Sequence, residues 1–383
     1  FYKTMHKSKL TNHFAILCLS FYLLTQTVFA QTDPTQPNIL LIIADDMGVD
    51  ITNGFQQNQR MPVTPIIDSL RTHGVSFMNT WAAPACTPTR ASIMSGRYGV
   101  KTNVVGVPGN LNTAYNSIFK ALDQETSGAY ADAVIGKWHI SNPPDYNHPA
   151  QHDVDHYEGL FGAMVSDYYN WEKVNNNGTT SIETEYTTSN ITTDAINWIN
   201  NQNQAWFLWL AHAAPHSPFH VPPASLYTSA QISSNLQKYV TMIEAMDTEI
   251  GRLLDNIPPA VLANTVVIFV GDNGTPTGVI QNFPSDHAKN TLYQGGVHVP
   301  MIVSGAGVTR QNEQENTLTH VTDIYATVLD IAGANLPGGI YNSMSFAHKF
   351  NSTGGVSRPF NYTELESNNV TGWTIRDAQY KLI

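Results

Sequence analysis

The chain reads as an α/β protein whose mostly parallel central sheet is sandwiched between helices. Three observations carry this reading. There are five short, continuous apolar runs, the segments between them show helical periodicity, and nearly every run ends in polar or charged residues. A run that is apolar on both faces describes a strand covered from above and below, which is the condition of a parallel sheet between helix layers.

The runs are residues 38–44, 131–135, 206–211, 265–270 and 299–303, all read as buried parallel strands. After the first comes a helix over 65–71, with Thr64 as N-cap and Gly74 beyond its end. A second helix runs through Ser92, Ile93 and Met94; Thr87 as N-cap and Pro88 as first helical residue leave Cys86 just outside its positive end. Residues 192–200 form a third. In the fourth, over 236–257, Leu236, Val240, Ile243, Ile250, Leu253, Leu254 and Ile257 share one face, and a fifth over 323–331 is closed by Gly333. Residues 142–186, rich in aromatics, His and Asn, make a long excursion expected to face a substrate.

Gly and Pro near residues 334–341 mark a boundary, so the organisation is a signal peptide over 1–30, a main domain over 31–340, and the start of a C-terminal subdomain over 341–383. The signal peptide rests on Met5, the lysines after it, an apolar run over 14–24 and a Val28-Phe29-Ala30 cleavage pattern. It implies a secreted or periplasmic protein with no membrane partner after cleavage. The chain stops in the largely apolar Tyr380-Lys381-Leu382-Ile383, which reads as a strand of a truncated subdomain.

The formal charge is −11, and losing Lys3, Lys7 and Lys9 with the leader leaves 16 basic against 30 acidic residues. Such a balance excludes nucleic acid or an anionic membrane held by bulk charge. An anionic small substrate requires a few cations focused in one cleft. Of the two cysteines, Cys18 lies in the leader, so Cys86 has no internal disulfide partner. It opens the segment Cys86-Thr87-Pro88-Thr89-Arg90, in which Arg90 sits one turn into the helix and brings a fixed charge.

Asp45 and Asp46 follow the first strand, with Gly48 allowing a sharp turn. At a strand end both carboxylates can turn to one point, where they need a cation. Asp272-Asn273-Gly274 adds oxygens from another strand end, and an all-oxygen set suits Ca²⁺ or Mg²⁺ rather than zinc. Lys137 and His139 share a face in extended chain, with Trp138 turned into packing; together they can bind an anion and move protons near neutral pH. His212 and His216 follow the third strand, and His212 reads as a packing residue. His148, His152 and His156 read as surface-loop histidines, with sugar contact as the alternative.

These residues together resemble the type I, formylglycine-dependent sulfatases of the alkaline-phosphatase superfamily. The likeness rests on 38–48, on 86–97, on Gly136-Lys137-Trp138-His139, on His216-Ser217-Pro218, on Gly271-Asp272-Asn273-Gly274, on Lys289 with Gly295-Gly296, and on 320–333. It covers roughly residues 38–335 and implies an alkaline-phosphatase-like fold and a sulfuric ester hydrolase. Residues 376–383 resemble the first part of that family's small antiparallel C-terminal sheet.

The resemblance implies that a maturation enzyme oxidises Cys86 to formylglycine, whose hydrate is the nucleophile. A thiol would be left as a stable thiosulfate, whereas a geminal diol can collapse to aldehyde and expel sulfate. It further implies that Asp45, Asp46, Asp272, Asn273 and position 86 hold Ca²⁺, with Mg²⁺ the alternative. Arg90 would orient the diol, and Lys137 and Lys289 would hold the sulfate oxygens. His216 with Lys289 would protonate the leaving alcohol, and His139 would take the diol proton. Ser166, from the excursion, is the candidate for a further sulfate contact. The implied substrate is a sulfated small molecule or saccharide, with a sulfated carbohydrate favoured by the excursion and the leader. A phosphonate monoester or phosphodiester hydrolase is the chemical rival, though Asn273 stands where that class more often has His. A non-catalytic glycan-binding relative is the rival of another class, and the intact set of candidate residues argues against it. A cysteine phosphatase would need arginine six residues after the cysteine, where this chain has Ser92.

Overall fold

The first apolar run forms strand β1 (Asn38–Ala44) with every residue buried. Its alternation explains why the sequence looks uniformly apolar. Ile39, Leu41 and Ile43 enter one core and Leu40, Ile42 and Ala44 the other, because successive side chains point to opposite faces. A computed structural model describes residues 36–56, 58–230, 232–340, 342–367 and 371–383. The leader expected over 1–30 lies outside the described residues.

Among the described residues the main sheet has eight strands: β1, β2 (Gly74–Trp81), β3 (Tyr130–Gly136), β4 (His156–Glu158), β7 (Ala205–Ala211), β8 (Thr265–Gly271), β9 (Met301–Gly305) and β10 (Glu313–His320). Their order is β10-β2-β9-β8-β1-β7-β3-β4. β1 runs parallel to β7 and β8, and β7 to β3, so the carboxyl ends of β1, β3, β7 and β8 share one edge. The fifth run corrects the expectation. It begins at Met301 and lies antiparallel to both β8 and β2, so β2 regains the common direction and also ends at that edge. The strands β2, β4 and β10 were not foreseen.

One core takes its helical cover from α2 (Cys86–Ser95), α3 (Ile118–Thr126) and α6 (Asp323–Ile331). The other is covered by α1 (Pro65–Thr72), α4 (Thr187–Asn200) and α5 (Asn235–Asp255). Each fully buried Ile or Leu in these layers contributes about 1.5–3 kcal/mol relative to exposure. Helix α5 starts in a reciprocal cap: Ser234 Oγ accepts from Gln237 N–H and the Gln237 side chain reaches back to the Ser234 backbone. Helix α4 begins five residues earlier than its apolar pattern, because Thr187, Thr188 and Asn190 are buried polar residues on its inner face. For α2 the cap residue is Ala85, so Cys86 is the first helical residue rather than the residue outside it.

The excursion contains β4, which joins the main sheet, and a hairpin of β5 (Trp171–Val174) and β6 (Thr180–Glu183). Beyond α6, Phe346 and Phe350 pack into the first core, with the Phe346 ring 4.9 Å from that of Phe77. The last strands, β11 (Asn361–Glu366), β12 (Thr371–Arg376) and β13 (Lys381–Leu382), form a separate antiparallel sheet. No helix among the described residues is long and apolar enough to cross a membrane.

Candidate active site

The segments after β1, β3, β7 and β8, together with helix α2 beyond β2, deliver polar residues to one buried cluster. From β1 come Asp45 and Asp46, which are 0% and 2% exposed. Asp46 adopts φ +72°, a left-handed conformation that Asp tolerates better than most residues. That turn directs its N–H onto Asp272 Oδ1 at 3.0 Å and its own Oδ1 onto Asn273 Nδ2 at 2.8 Å. The turn therefore belongs to Asp46 and not to Gly48, whose φ is −86°. Gly48 is small for another reason: a Cβ there would meet Thr275 N at 2.8 Å.

Beyond β3 the chain also turns. Gly136 has φ +105° and His139 φ +53°, so Lys137 and His139 converge through bends rather than through strand alternation. A Cβ on Gly136 would lie 2.0 Å from Ala211 O. Fully buried Lys137 contacts Asp45 Oδ2 through Nζ, while its carbonyl accepts Arg90 Nη1 at 2.7 Å. Trp138 packs away from the site, against His148 and Tyr157. His139 Nδ1 lies 3.2 Å from Cys86 Sγ, and Nε2 faces Thr87 Oγ1 at 3.2 Å. Thr87 is thus a partner of the site histidine instead of a helix cap.

Helix α2 holds Arg90 rigidly, with Nε and Nη2 on Asp272 Oδ2 at 3.1 and 2.8 Å. From the segment after β7, His216 Nε2 lies 3.6 Å from Asp46 Oδ2. Lys289, from the long loop after β8, places Nζ on Asp46 Oδ1. Tyr239 of α5 donates its hydroxyl to Asp46 O at 2.6 Å, a contact hidden in the sequence because Tyr239 falls on the helix's apolar face.

Burial works against every charge here, so the sign of each shift shows which partner wins. For Asp45, burial would raise the pKa, but Lys137, His216, Arg90 and Lys289 hold it well below the carboxylate range. Asp272, buried beside the Asp45 charge, is pushed up to about 6 despite Arg90. Lys289 loses by burial yet is raised by Asp46, Cys86 and Asp45, and stays an ammonium. The histidines His139 and His216 are lowered, chiefly by burial, and are neutral. Burial pushes the Cys86 thiol up, with Lys137 and Lys289 only partly offsetting it. The unmodified thiol is therefore a poor thiolate.

The donor set fits a hard divalent cation. Asp45 Oδ1 and Asn273 Oδ1 are buried without a hydrogen-bond partner, a costly state unless something charged is meant to meet them. Ligand atoms of Asp45, Asp46 and His216 lie within 4.8 Å of one another. Asp272 already accepts from Asp46 and Arg90, so it would share its carboxylate.

Not every candidate reaches the cluster. Ser166 is exposed on the loop before β5. Two residues on, Tyr168 is the residue that supports the site wall, its hydroxyl donating to Ala213 O at 2.8 Å and His216 O at 2.7 Å. His148 and His152 are not surface histidines: both are 1% exposed and turn Nε2 to Leu111 O. His156 pairs with Glu158 at 3.2 Å. His212 is fully buried at the end of β7.

A family model described as Sulfatase matches residues 37–334. N-acetylgalactosamine-6-sulfatase of Sus scrofa is 28% identical over 340 residues, which is 79% of this chain and 64% of the relative. Arylsulfatase G of Rattus norvegicus is 25% identical over 372 residues, 81% of this chain and 68% of the relative. The chain spans just under two thirds of the length of the first of these relatives. Among solved structures, Ps i-CgsB in complex with k-i-k-neocarrahexaose superposes with a TM-score of 0.77 at 25% identity, covering 90% of this chain and 83% of that one. The protein BT4656, in complex with its substrate D-glucosamine-2-N,6-O-disulfate, gives 0.72 at 19% identity over 90% of this chain and 88% of that one.

Proposed function

Because this chain belongs to the sulfatase family, we propose that it hydrolyses sulfate esters to an alcohol and inorganic sulfate, with formylglycine at position 86 as nucleophile and a sulfated saccharide as substrate. The observation that carries the reading is the convergence of Cys86, Arg90, Lys137, His139, His216 and Lys289 on the partly unsatisfied Asp45–Asp46–Asn273 oxygens. A thiol pushed up by burial argues against direct attack by an unmodified Cys86 thiolate. The saccharide is supported by the 28%-identical relative, an N-acetylgalactosamine-6-sulfatase, and by the neocarrahexaose bound in the similar structure Ps i-CgsB. A secreted or periplasmic location rests on the leader alone.

A bound Ca²⁺ or Mg²⁺ would supply positive charge to the sulfate, and formylglycine an oxygen nucleophile able to release it again. Asp45, Asp46, Asp272 and Asn273 would hold the cation. Cys86 Sγ marks the place of the formylglycine oxygens, and neutral His139, with Nδ1 3.2 Å away, can take a proton there. Arg90, fixed by Asp272 and by Lys137 O, keeps a charge beside position 86 without conformational freedom to lose. Lys137, on Asp45, and Lys289, on Asp46, would grip sulfate oxygens. Lys289, with His216 beside the same Asp46 carboxylate, would give the leaving oxygen its proton.

The test is co-expression with a formylglycine-generating enzyme, mass analysis of the Cys86 peptide, and sulfate release from a panel of sulfated saccharides beside aryl sulfate and aryl phosphonate esters. Modified protein that turns over the phosphonate but releases no sulfate would sink the proposal.

A further inference from the structure

Strand β13 of the C-terminal sheet sends Lys381 into the body of the protein. Its Nζ donates to Leu292 O at 2.6 Å and lies 4.7 Å from the centroid of the Trp81 ring. Both contacts fall on segments that feed the site: Leu292 is three residues beyond Lys289, and Trp81 ends β2, five residues before Cys86. Lys381 has no ion pair with a carboxylate among the described residues. Burial, with Arg376 adding, pulls it down to about 8, so its ammonium is held on a carbonyl and a π face against a solvation cost.

The loop it grips is also tied elsewhere, with Trp81 Nε1 donating to Gln294 Oε1 at 2.9 Å and the Tyr293 ring stacked on His287 at 3.5 Å. Lys289 N–H donates to Thr275 O at 3.0 Å and Asn290 N–H to Pro84 O at 2.8 Å. Leu292, two residues on, is buried, and its carbonyl is the atom that meets Lys381. Strand β12 supports the same point, since a Cβ on Gly372 would lie 3.2 Å from Leu292 Cδ1. At its other side the small sheet holds the segment after α2, through Glu364 Oε1 accepting Val100 N–H at 2.6 Å and Glu366 N–H donating to Val105 O at 2.9 Å.

We propose that Lys381 is a positioning residue: it fixes the Lys289 loop against the segment leading into position 86, so that Lys289 meets the leaving oxygen. This rests on the sulfatase reading for its chemistry, but not for its geometry. The small sheet then works as a brace for the active site.

Two measurements on wild type, K381M and K381R separate these parts. Hydrogen exchange of amides 288–294 should quicken about tenfold in K381M, as expected for loss of a charge-assisted bond, and return to near wild type in K381R. Amides 39–43 of β1 should stay protected. In formylglycine-bearing enzyme, K381M should lose ~10- to 100-fold in kcat for aryl sulfates with poor leaving groups and much less for good ones, with KM nearly unchanged and K381R restoring the rate. Unchanged exchange at 288–294, loosening that spreads to 39–43, or a uniform loss across the leaving-group series would overturn the inference. Absence of turnover in modified wild type, with exchange changing as expected, would sink the sulfatase reading and leave the brace standing.

Discussion

The Asp45–Asp46 cluster and the Asp323–Arg358 pair are both buried assemblies of opposite charge, and they differ in what is left over. In the second, every polar side-chain atom has a partner. Arg358 bonds Asp323 Oδ2 at 3.1 Å, Asn342 O at 2.6 Å, Asp323 Oδ1 and the Tyr98 hydroxyl, and Asp323 also accepts from His320 N–H and Met344 N–H, both at 2.9 Å. In the first, Asp45 Oδ1 and Asn273 Oδ1 have none, although Lys137, Lys289 and Arg90 crowd the same space. A satisfied network rigidifies the fold; an unsatisfied one waits for a ligand.

The largest test of that difference is Cys86→Ala. Turnover should fall on the order of 10⁴-fold or more below that of the formylglycine-bearing wild type, while the melting temperature barely moves, since the only hydrogen bond of the Cys86 side chain among the described residues is the one to His139. Residual activity above about a few per cent would break the assignment. The converse variant is Arg358→Met, expected to cost about 3–5 kcal/mol in denaturant titrations by stranding Asp323 in a buried site. A loss under about 1 kcal/mol would erase the contrast between the regions.

Ca²⁺ sharpens the comparison further. At a hundredfold excess over its dissociation constant it should stabilise wild type by about 2.7 kcal/mol, reversed by chelator. Asp45→Asn should abolish the rise and Arg358→Met should keep it; a rise that survives Asp45→Asn moves the cation elsewhere.

The smallest effect concerns His212, buried and neutral with neither ring nitrogen bonded. Burial pulls its pKa down to about 3, below the unfolded value of 6.5, so the unfolded state binds the proton more readily. The contribution to stability is therefore present above pH 6.5 and lost as pH falls toward 3, by about 2 kcal/mol at pH 5. His212→Gln should flatten the acid limb of a stability–pH curve by that amount; an unaltered limb would mean His212 stays solvated.

Legibility tracked environment. β1, β7 and β8 stood out because both faces are buried, which forces apolar residues at every position. β10 did not, because at the sheet edge its sequence EQENTLTH can leave Glu313, Gln314 and Asn316 in water, and only pairing with β2 makes it a strand. Strand direction is absent from periodicity, so β9 was misread. At the site, Asp45, Asp46, Asp272, Asn273, Lys137, His139 and His216 were legible as polar residues just past buried runs, whereas Lys289, on the long loop after β8, was reached only through the family resemblance. Thr87 and Tyr239 were not, since one resembled a cap and the other a core residue. Ser166 was named from the same stretch that supplies Tyr168, and side-chain direction in an irregular loop follows no period.

By itself, the sequence determined the layers and the chemical inventory, because burial and catalysis each restrict which residue types can stand at a position. Only the tertiary structure decided which groups meet: the left-handed turns at Asp46 and His139, the grip of Arg90 on Asp272, and the reach of Lys381 to Leu292. These contacts join residues far apart in the chain, and their geometry is set by how the strands and loops pack, which no local pattern records.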